Sequence, residues 1–354
     1  MTVALKLAEG AHGTTMPNPA VGAVIVANEV IVGRGCTSFY GGPHAEIQAI
    51  KNAGPKTKGA TLYVTLEPCN HFGKTPPCTE AIIASGIKKV YVSLKDPNPL
   101  VSGRGVRRLR KSGITVYVGL LRPEARALNE DFFWSITKRV PWIALKLALT
   151  LDGRIADEKG RSRWITSFAS RKFSHELRRR HAAIAVGATT LRRDDPRLSV
   201  RHVRGAHPAR IVFSSGPRLP ATSYFMKNAH ATRSIAVVAG GKKMVIEHRA
   251  NGLEIWHTGQ RSKEKSLRVF LRMAYNEGLT SILVEGGQQL ASAFMEAGCV
   301  NRVYLFYGNK LLGRGLEGFF FSKGVPLSRA IALRSSIVRT FGKDIMITGI
   351  PVWR

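Results

Sequence analysis

The chain has 354 residues, more than one hydrophobic core usually spans, which points to two domains. Its composition, 44% hydrophobic and 22% charged, is that of a globular protein and excludes a disordered or fibrous polymer. Lys and Arg number 54 against 23 Asp and Glu, and the resulting +31 attracts anions: nucleic acid, acidic membrane or phosphorylated small molecules. The basic residues are scattered, with short clusters at Arg107–Lys111, Arg178–Arg180 and Arg192-Arg193, a pattern of solvated faces rather than of a nucleic-acid groove. Four cysteines make no secreted disulfide framework. The longest apolar candidate for a membrane span, Trp142–Leu151, is short and interrupted by Lys146. The first residues carry no signal-peptide pattern, so the cytoplasm is the expected location and no membrane partner is expected.

In chain order, Met1–Gly10 reads as a helix with Val3, Ala4, Leu7 and Ala8 on one face, ended by Met16-Pro17-Asn18-Pro19. Val21–Val26 and Val30–Gly33 read as strands about an Asn28-Glu29 turn. A helix over His44–Ala53 places His44 and Glu46 in its first turn. Strand Leu62–Leu66 feeds Pro68-Cys69, and a helix over Pro77–Ser85 starts near Cys78. Strand Val90–Leu94, helix Val106–Ser112 and strand Ile114–Val118 continue the alternation, which makes this half a layered α/β domain. One helix is expected over Arg122–Arg139, ending at Val140-Pro141, the expected boundary between domains 1–140 and 141–354.

The stretch from His44 to Cys78 carries the strongest chemical signal. One imidazole and two thiols, His44, Cys69 and Cys78, supply the three protein ligands of a zinc site that leaves its fourth position to water. Glu46 stands too close to His44 to be an obvious fourth ligand, but a carboxylate there can shuttle a proton from a water to a leaving group. His-x-Glu followed by Pro-Cys and a second Cys is the signature of zinc deaminases acting on nucleobases. A structural zinc knuckle or two free buried thiols is the alternative, and the length and order of the string argue against it. Eight residues separate Cys69 from Cys78, where nucleic-acid and free-base deaminases usually have two; they include His71, Lys74 and Thr75, groups suited to a polar or phosphorylated substrate.

The string Glu67-Pro-Cys-Asn-His-Phe-Gly-Lys-Thr-Pro-Pro-Cys78 resembles the deaminase half of the bifunctional riboflavin-biosynthesis deaminase/reductase family. The resemblance implies a cytidine-deaminase-like three-layer domain with Glu46 catalytic, and with Asn18, His71 and Lys74 binding substrate. Family members often have histidine at Met16 and tyrosine-histidine at Cys36-Thr37. From Trp142 the chain starts afresh with strand Ile143–Leu149 and an Asp152-Gly153 turn. Leu145–Ala156, Trp164-Ile165-Thr166-Ser167 and Gly187–Arg201 resemble the reductase half, which implies a dihydrofolate-reductase-like domain whose mixed sheet binds NADPH. There is no Gly-x-Gly-x-x-Gly; instead Ser281–Leu290 reads as strand, glycine turn and helix start, where backbone can approach a phosphate. By resemblance, Ala148, Trp164, Thr190, Asp194, Ser215, Gly287, Gln288, Gln289, Leu290, Ala291, Ser292 and Ala293 contact NADPH. Ser162, Arg178, Leu198, Arg201 and Glu285 face the substrate; two guanidinium groups suit a phosphate. Lys146 is either a group that assists ring opening or a strand lysine reaching solvent. The chain departs from the family at Arg192-Arg193, Asn301-Arg302 and Asn309.

The expectation is a zinc- and NADPH-dependent bifunctional enzyme acting on a phosphorylated pyrimidine. Self-association through the reductase half is implied by the same resemblance. Three alternatives stand beside it: a deaminase with a non-catalytic reductase-like domain, a nucleic-acid deaminase with a basic appended domain, and a nucleic-acid or regulatory binding protein on a retired enzyme scaffold. The long Cys69–Cys78 spacing and the strings after Trp142 argue against the second, and the intact His44, Glu46, Cys69, Cys78 set against the third.

Overall fold

The computed structural model describes residues 1–72, 76–98, 102–240 and 243–353. They form two compact units, Met1–Arg139 and Val140–Arg354. The first contains α1 (Thr2–Ala11), β1 (Gly22–Ala27), β2 (Val30–Cys36), α2 (Ala45–Ala53), β3 (Thr61–Leu66), α3 (Cys78–Ala84), β4 (Lys89–Leu94), α4 (Arg104–Lys111), β5 (Thr115–Val118), α5 (Arg122–Leu128) and α6 (Glu130–Lys138). Its five strands run in the order β2-β1-β3-β4-β5, with β1 antiparallel to both neighbours and β3, β4 and β5 parallel.

Side chains alternate between the faces of a strand, and two close approaches show which helix covers which face. A Cβ on Gly22 would lie 1.9 Å from the carbonyl oxygen of Ala4 in α1. On Gly35, which pairs with Ala23 next along the same strand, it would lie 2.1 Å from the carbonyl oxygen of Ala45 in α2. So α1 and α2 pack on opposite faces, a three-layer sandwich. The missing side chain lets the first turn of α2, with His44 as its N-cap and Glu46 inside it, lie directly on the sheet. The core between the layers is aliphatic, with Ile25, Leu62, Val64, Val90 and Val92 buried.

The continuous helix expected over Arg122–Arg139 is two helices. Asn129 interrupts it because its side chain brackets Ala20, accepting from the Ala20 amide at 2.9 Å and donating to the Ala20 carbonyl at 2.8 Å. Asn129 is itself buried, and two satisfied buried hydrogen bonds outweigh one helical one.

The second unit contains β6 (Trp142–Thr150), β7 (Arg154–Ala156), α7 (Phe168–Arg179), β8 (Ala183–Gly187), α8 (Ala188–Asp194), β9 (Ala209–Ser214), α9 (Tyr224–Lys227), β10 (Ser234–Val238), β11 (Met244–His248), β12 (Leu253–Thr258), α10 (Lys263–Asn276), β13 (Ser281–Glu285), α11 (Gln288–Glu296), β14 (Arg302–Gly308), β15 (Leu316–Glu317), β16 (Ala332–Phe341) and β17 (Asp344–Val352). Ten strands form one mixed sheet, β11-β12-β10-β9-β8-β13-β6-β14-β17-β16. The seven from β12 to β14 are parallel; β11, β17 and β16 each run antiparallel to the strand they join. The central strands are nearly continuous apolar runs because helices cover both faces. Along β6, Ile143, Leu145, Leu147 and Leu149 pack with Phe270 of α10 and Phe294 of α11. Trp142 and Ala144 pack on the other face with Leu177 of α7 and Phe306. Parallel strands with crossover helices leave their carboxyl ends open, and ligands collect there.

Gly35→Ala is expected to push α2 off β2, destabilising the first unit by about 1–3 kcal/mol. The activity expected of the His44 and Glu46 site should fall further than stability accounts for, since both residues ride on that helix, while the activity expected of the second unit persists. Chemical denaturation and the two assays run side by side check this.

Candidate active sites

In the first unit the candidate metal ligands come from three places. His44 caps α2 in an extended conformation, Cys69 follows β3, and Cys78 opens α3. Their ligand atoms lie within 4.8 Å of one another. His44 Nδ1 is 3.6 Å from Cys69 Sγ and 3.3 Å from Cys78 Sγ. A tetrahedron with ordinary zinc–nitrogen and zinc–sulfur bonds has nitrogen–sulfur edges of about 3.6 Å, so these three atoms fit around one ion.

Electrostatics make the same point. Hydrogen bonding with Cys78, opposed by burial and aided by His44, brings Cys69 down to about 4. The same contact and burial push the Cys78 thiol far up. Two touching thiols, Cys78 buried and Cys69 half-buried, share one proton; both ionise only with a cation between them. The Cys78 amide donates to Cys69 Sγ at 3.3 Å, fixing that sulfur from behind. Glu46 is buried, 3% exposed, beside the cluster. Burial and the Cys69 charge push its carboxyl up to about 7, and it is hydrogen-bonded with Cys78.

Of the expected substrate contacts in this unit, Asn18 lies half-buried in the turn before β1 and His71 is exposed just after Cys69. Lys74 lies outside the described residues. Sequence reasoning treated Asp96 only as part of a loop. The structure makes it a half-buried carboxyl pushed up to about 6, mainly by desolvation, with the charges of Glu67, His71 and Cys69 acting on it. Behind it, the buried Glu67 carboxylate accepts from the amides of Gly103 (2.9 Å) and Val106 (3.0 Å), tying the loop and α4 to the end of β3.

In the second unit a cleft of about 1130 Å³ opens at the carboxyl ends of β8, β13 and β6. Ala148, Ser162, Trp164, Arg178, Thr190, Asp194, Leu198, Arg201, Ser215, Glu285, Gly287, Gln288, Gln289, Leu290 and Ala293 line it. Ala291 and Ser292 do not: Ala291 is wholly buried in the core and its amide bonds back to Gly287. Ser292 turns away and accepts from the Phe320 amide at 2.8 Å. Only the first turn of α11 presents free amides to a ligand, so a contiguous run carried over by resemblance includes residues on the wrong face.

Glu285 and Lys146 are directly paired on adjacent parallel strands and share a face. Arg178 reaches over them from α7, its Nε and Nη2 donating to the two carboxylate oxygens of Glu285 at 2.7 and 2.8 Å, and its Nη1 to the Ser199 carbonyl at 3.1 Å. Burial opposes ionisation of Glu285, but Arg178 outweighs it and holds the carboxylate at about 2. Burial lowers the Lys146 ammonium. Trp164 stands 58% exposed, with the Arg171 guanidinium 4.2 Å from its ring centroid. Arg171 and His175 also line the cleft and were missed; the signal was available, since 171, 175 and 178 recur at helical spacing on one face of α7. The departures from the family pattern are accommodated. Asn301 accepts from the Ile143 amide at 2.7 Å, holding the start of β6, and Arg193 lies against Gly160 at the rim.

Among the described residues no helix is long and apolar enough to cross a membrane. The model of the RibD C-terminal domain matches residues 141–347, and that of the cytidine and deoxycytidylate deaminase zinc-binding region matches residues 1–94. The chain is 42% identical to riboflavin biosynthesis protein RibD of Aquifex aeolicus over 98% of its length and 96% of that protein. It is 36% identical to RibD of Escherichia coli over 98% and 97%. Among solved structures, Acinetobacter baumannii RibD superposes with a TM-score of 0.88 at 32% identity, covering 99% of this chain and 97% of that one. A diaminohydroxyphosphoribosylaminopyrimidine deaminase/5-amino-6-(5-phosphoribosylamino)uracil reductase from Thermotoga maritima gives 0.84 at 36% identity, covering 99% and 97%. The chain therefore belongs to the RibD family of riboflavin biosynthesis, a zinc deaminase joined to an NADPH-dependent reductase in one bifunctional enzyme.

Proposed function

We propose that residues 1–140 hydrolyse the C2 amine of 2,5-diamino-6-(5-phosphoribosylamino)pyrimidin-4-one, and that residues 141–354 reduce the ribose of the product, 5-amino-6-(5-phosphoribosylamino)uracil, to a ribityl chain. The observation that carries the first assignment is the His44, Cys69, Cys78 cluster with a buried carboxylate, Glu46, behind it. Zinc held by those three residues supplies the Lewis acidity that makes water a nucleophile near neutral pH. Glu46 takes the proton of the attacking water and delivers it to the departing ammonia, its buried place beside the three ligands suiting it to both transfers. Asn18, His71 and Lys74 are the proposed substrate contacts.

In the second unit NADPH supplies the hydride that arrives at C1′. The amides of Gln288, Gln289 and Leu290 at the start of α11 receive the cofactor's pyrophosphate, with Thr190 and Ser215 beside them. Lys146 holds a proton on Nζ, and its burial, which lowers the pKa, suits it to deliver that proton to the ribose ring oxygen as the ring opens. Glu285, fixed as a carboxylate by Arg178, orients the ribose hydroxyls. Arg201 is exposed at the cleft wall and directs its guanidinium to the phosphate. We place the enzyme in the cytoplasm, self-associating through this unit. Support for association comes from β16, which ends the sheet with Ile337 and Val338 exposed at 48% and 63%.

Glu46→Gln is expected to lower the deamination rate about 10²–10⁴-fold with zinc content unchanged by metal analysis and reduction of the deaminated substrate intact. Undiminished deamination would remove Glu46 from the proton shuttle. Arg201→Ala should raise the reductase KM for the phosphorylated substrate about tenfold with kcat nearly unchanged. Steady-state kinetics decide it, and an unaltered KM counts against the clamp.

A further inference from the structure

Several cationic side chains line the cleft of the second unit, and one of them is already committed. Arg178 gives its Nε and Nη2 to Glu285 and its Nη1 to the Ser199 carbonyl. Arg201 is held more lightly, by Nη1 to Ser199 Oγ at 3.0 Å. Its position on the cleft wall is set through the main chain instead. The Arg201 amide donates to His175 Nδ1 at 3.0 Å across a sequence gap of 26 residues.

That hydrogen bond fixes the chemistry of the ring. A peptide N–H only donates, so Nδ1 carries the lone pair and the imidazole proton sits on Nε2. His175 is 4% exposed, its ring lines the cleft, and among the described residues Nε2 has no acceptor. Burial and the charges of Arg178 and Arg201 hold its pKa down at about 3, so it remains a neutral donor. The ring is braced by His202, whose ring packs edge-on with centroids 4.5 Å apart. The Nε2–H is thus left free to donate to a group bound in the cleft. The charges of Arg178 and Arg201 act on His175, Glu285 is already paired with Arg178, and the acceptor that suits this surrounding is an anion.

We propose that His175 is a substrate-binding residue of the reductase site, holding the Arg201 segment through Nδ1 and donating Nε2–H to the phosphate monoester of the substrate that Arg201 grips. This rests on the reading of the second unit as a reductase of a phosphorylated substrate.

Two substitutions separate the two nitrogens. His175→Asn keeps an acceptor near Nδ1 and loses the Nε2 donor; His175→Gln places an amide donor near Nε2 and loses the acceptor. With deaminated substrate and NADPH, His175→Asn is expected to raise KM about tenfold while kcat and the KM for NADPH stay within about twofold. With the dephosphorylated ribonucleoside the variant and wild type should be alike. His175→Gln, which restores the donor but not the bond to the Arg201 amide, should bind more tightly than His175→Asn and less tightly than wild type. Calorimetric binding of the deaminated substrate to NADP⁺-loaded enzyme gives the same comparison without turnover, and circular dichroism verifies the fold. Asn and Gln variants equally impaired, a loss that also appears with the dephosphorylated compound, or a loss confined to NADPH would each overturn the proposal. A wild-type enzyme that reduces neither compound would instead sink the reductase reading, and the calorimetric comparison would still judge His175.

Discussion

Each unit gathers ionisable groups of one sign that crowd one another and that a ligand of the opposite sign would relieve. In the first, two contacting thiols and the Glu46 carboxyl crowd around one imidazole, and Cys69 and Cys78 cannot both ionise there unaided. In the second, Lys146 and Arg178 lie beside Glu285 at the cleft floor, with Arg201 on the wall. Uncompensated buried charge is among the costliest features a fold can carry, so each site is completed by a ligand of opposite sign. Zinc answers the first requirement and the anionic groups of cofactor and substrate answer the second. The +31 net charge gives the same preference at long range, since it draws phosphorylated molecules toward both units.

The scaffold holds these charges in place by backbone contact. Gly35 lets α2 lie against β2 closely enough to bring His44 and Glu46 to the end of β3, where Cys69 emerges. Glu67, one residue past β3, binds the amides that start α4, so the loop carrying Asp96 is fixed to the same strand end. In the second unit the parallel register sets Lys146 against Glu285, and α7 brings Arg178 onto Glu285 while His175 and Arg171 line the cleft from the same helix.

What was legible in the sequence was local. The zinc triad lies within one short stretch whose chemistry follows from residue type and spacing, and the alternation of helix and strand follows from apolar periodicity. Long-range contacts were not legible. The helix expected over Arg122–Arg139 breaks because Asn129 binds Ala20, 109 residues away. The commitment of Arg178 to Glu285, 107 residues away, is equally invisible in the chain, so two arginines that read alike as phosphate ligands have different neighbours. Ala291 and Ser292 entered the expected NADPH set as part of a contiguous run, whereas a helix presents only one face and its first free amides to a ligand.

The central claim is that one chain carries two separable reactions, hydrolysis that needs zinc and reduction that needs NADPH. Mass spectrometry of the diaminopyrimidine substrate after incubation with zinc-loaded enzyme, with and without NADPH, tests it most directly. The account predicts only the deaminated compound without NADPH, and the deaminated and reduced compound with it. Reduction without deamination, or deamination that NADPH never carries further, would contradict it.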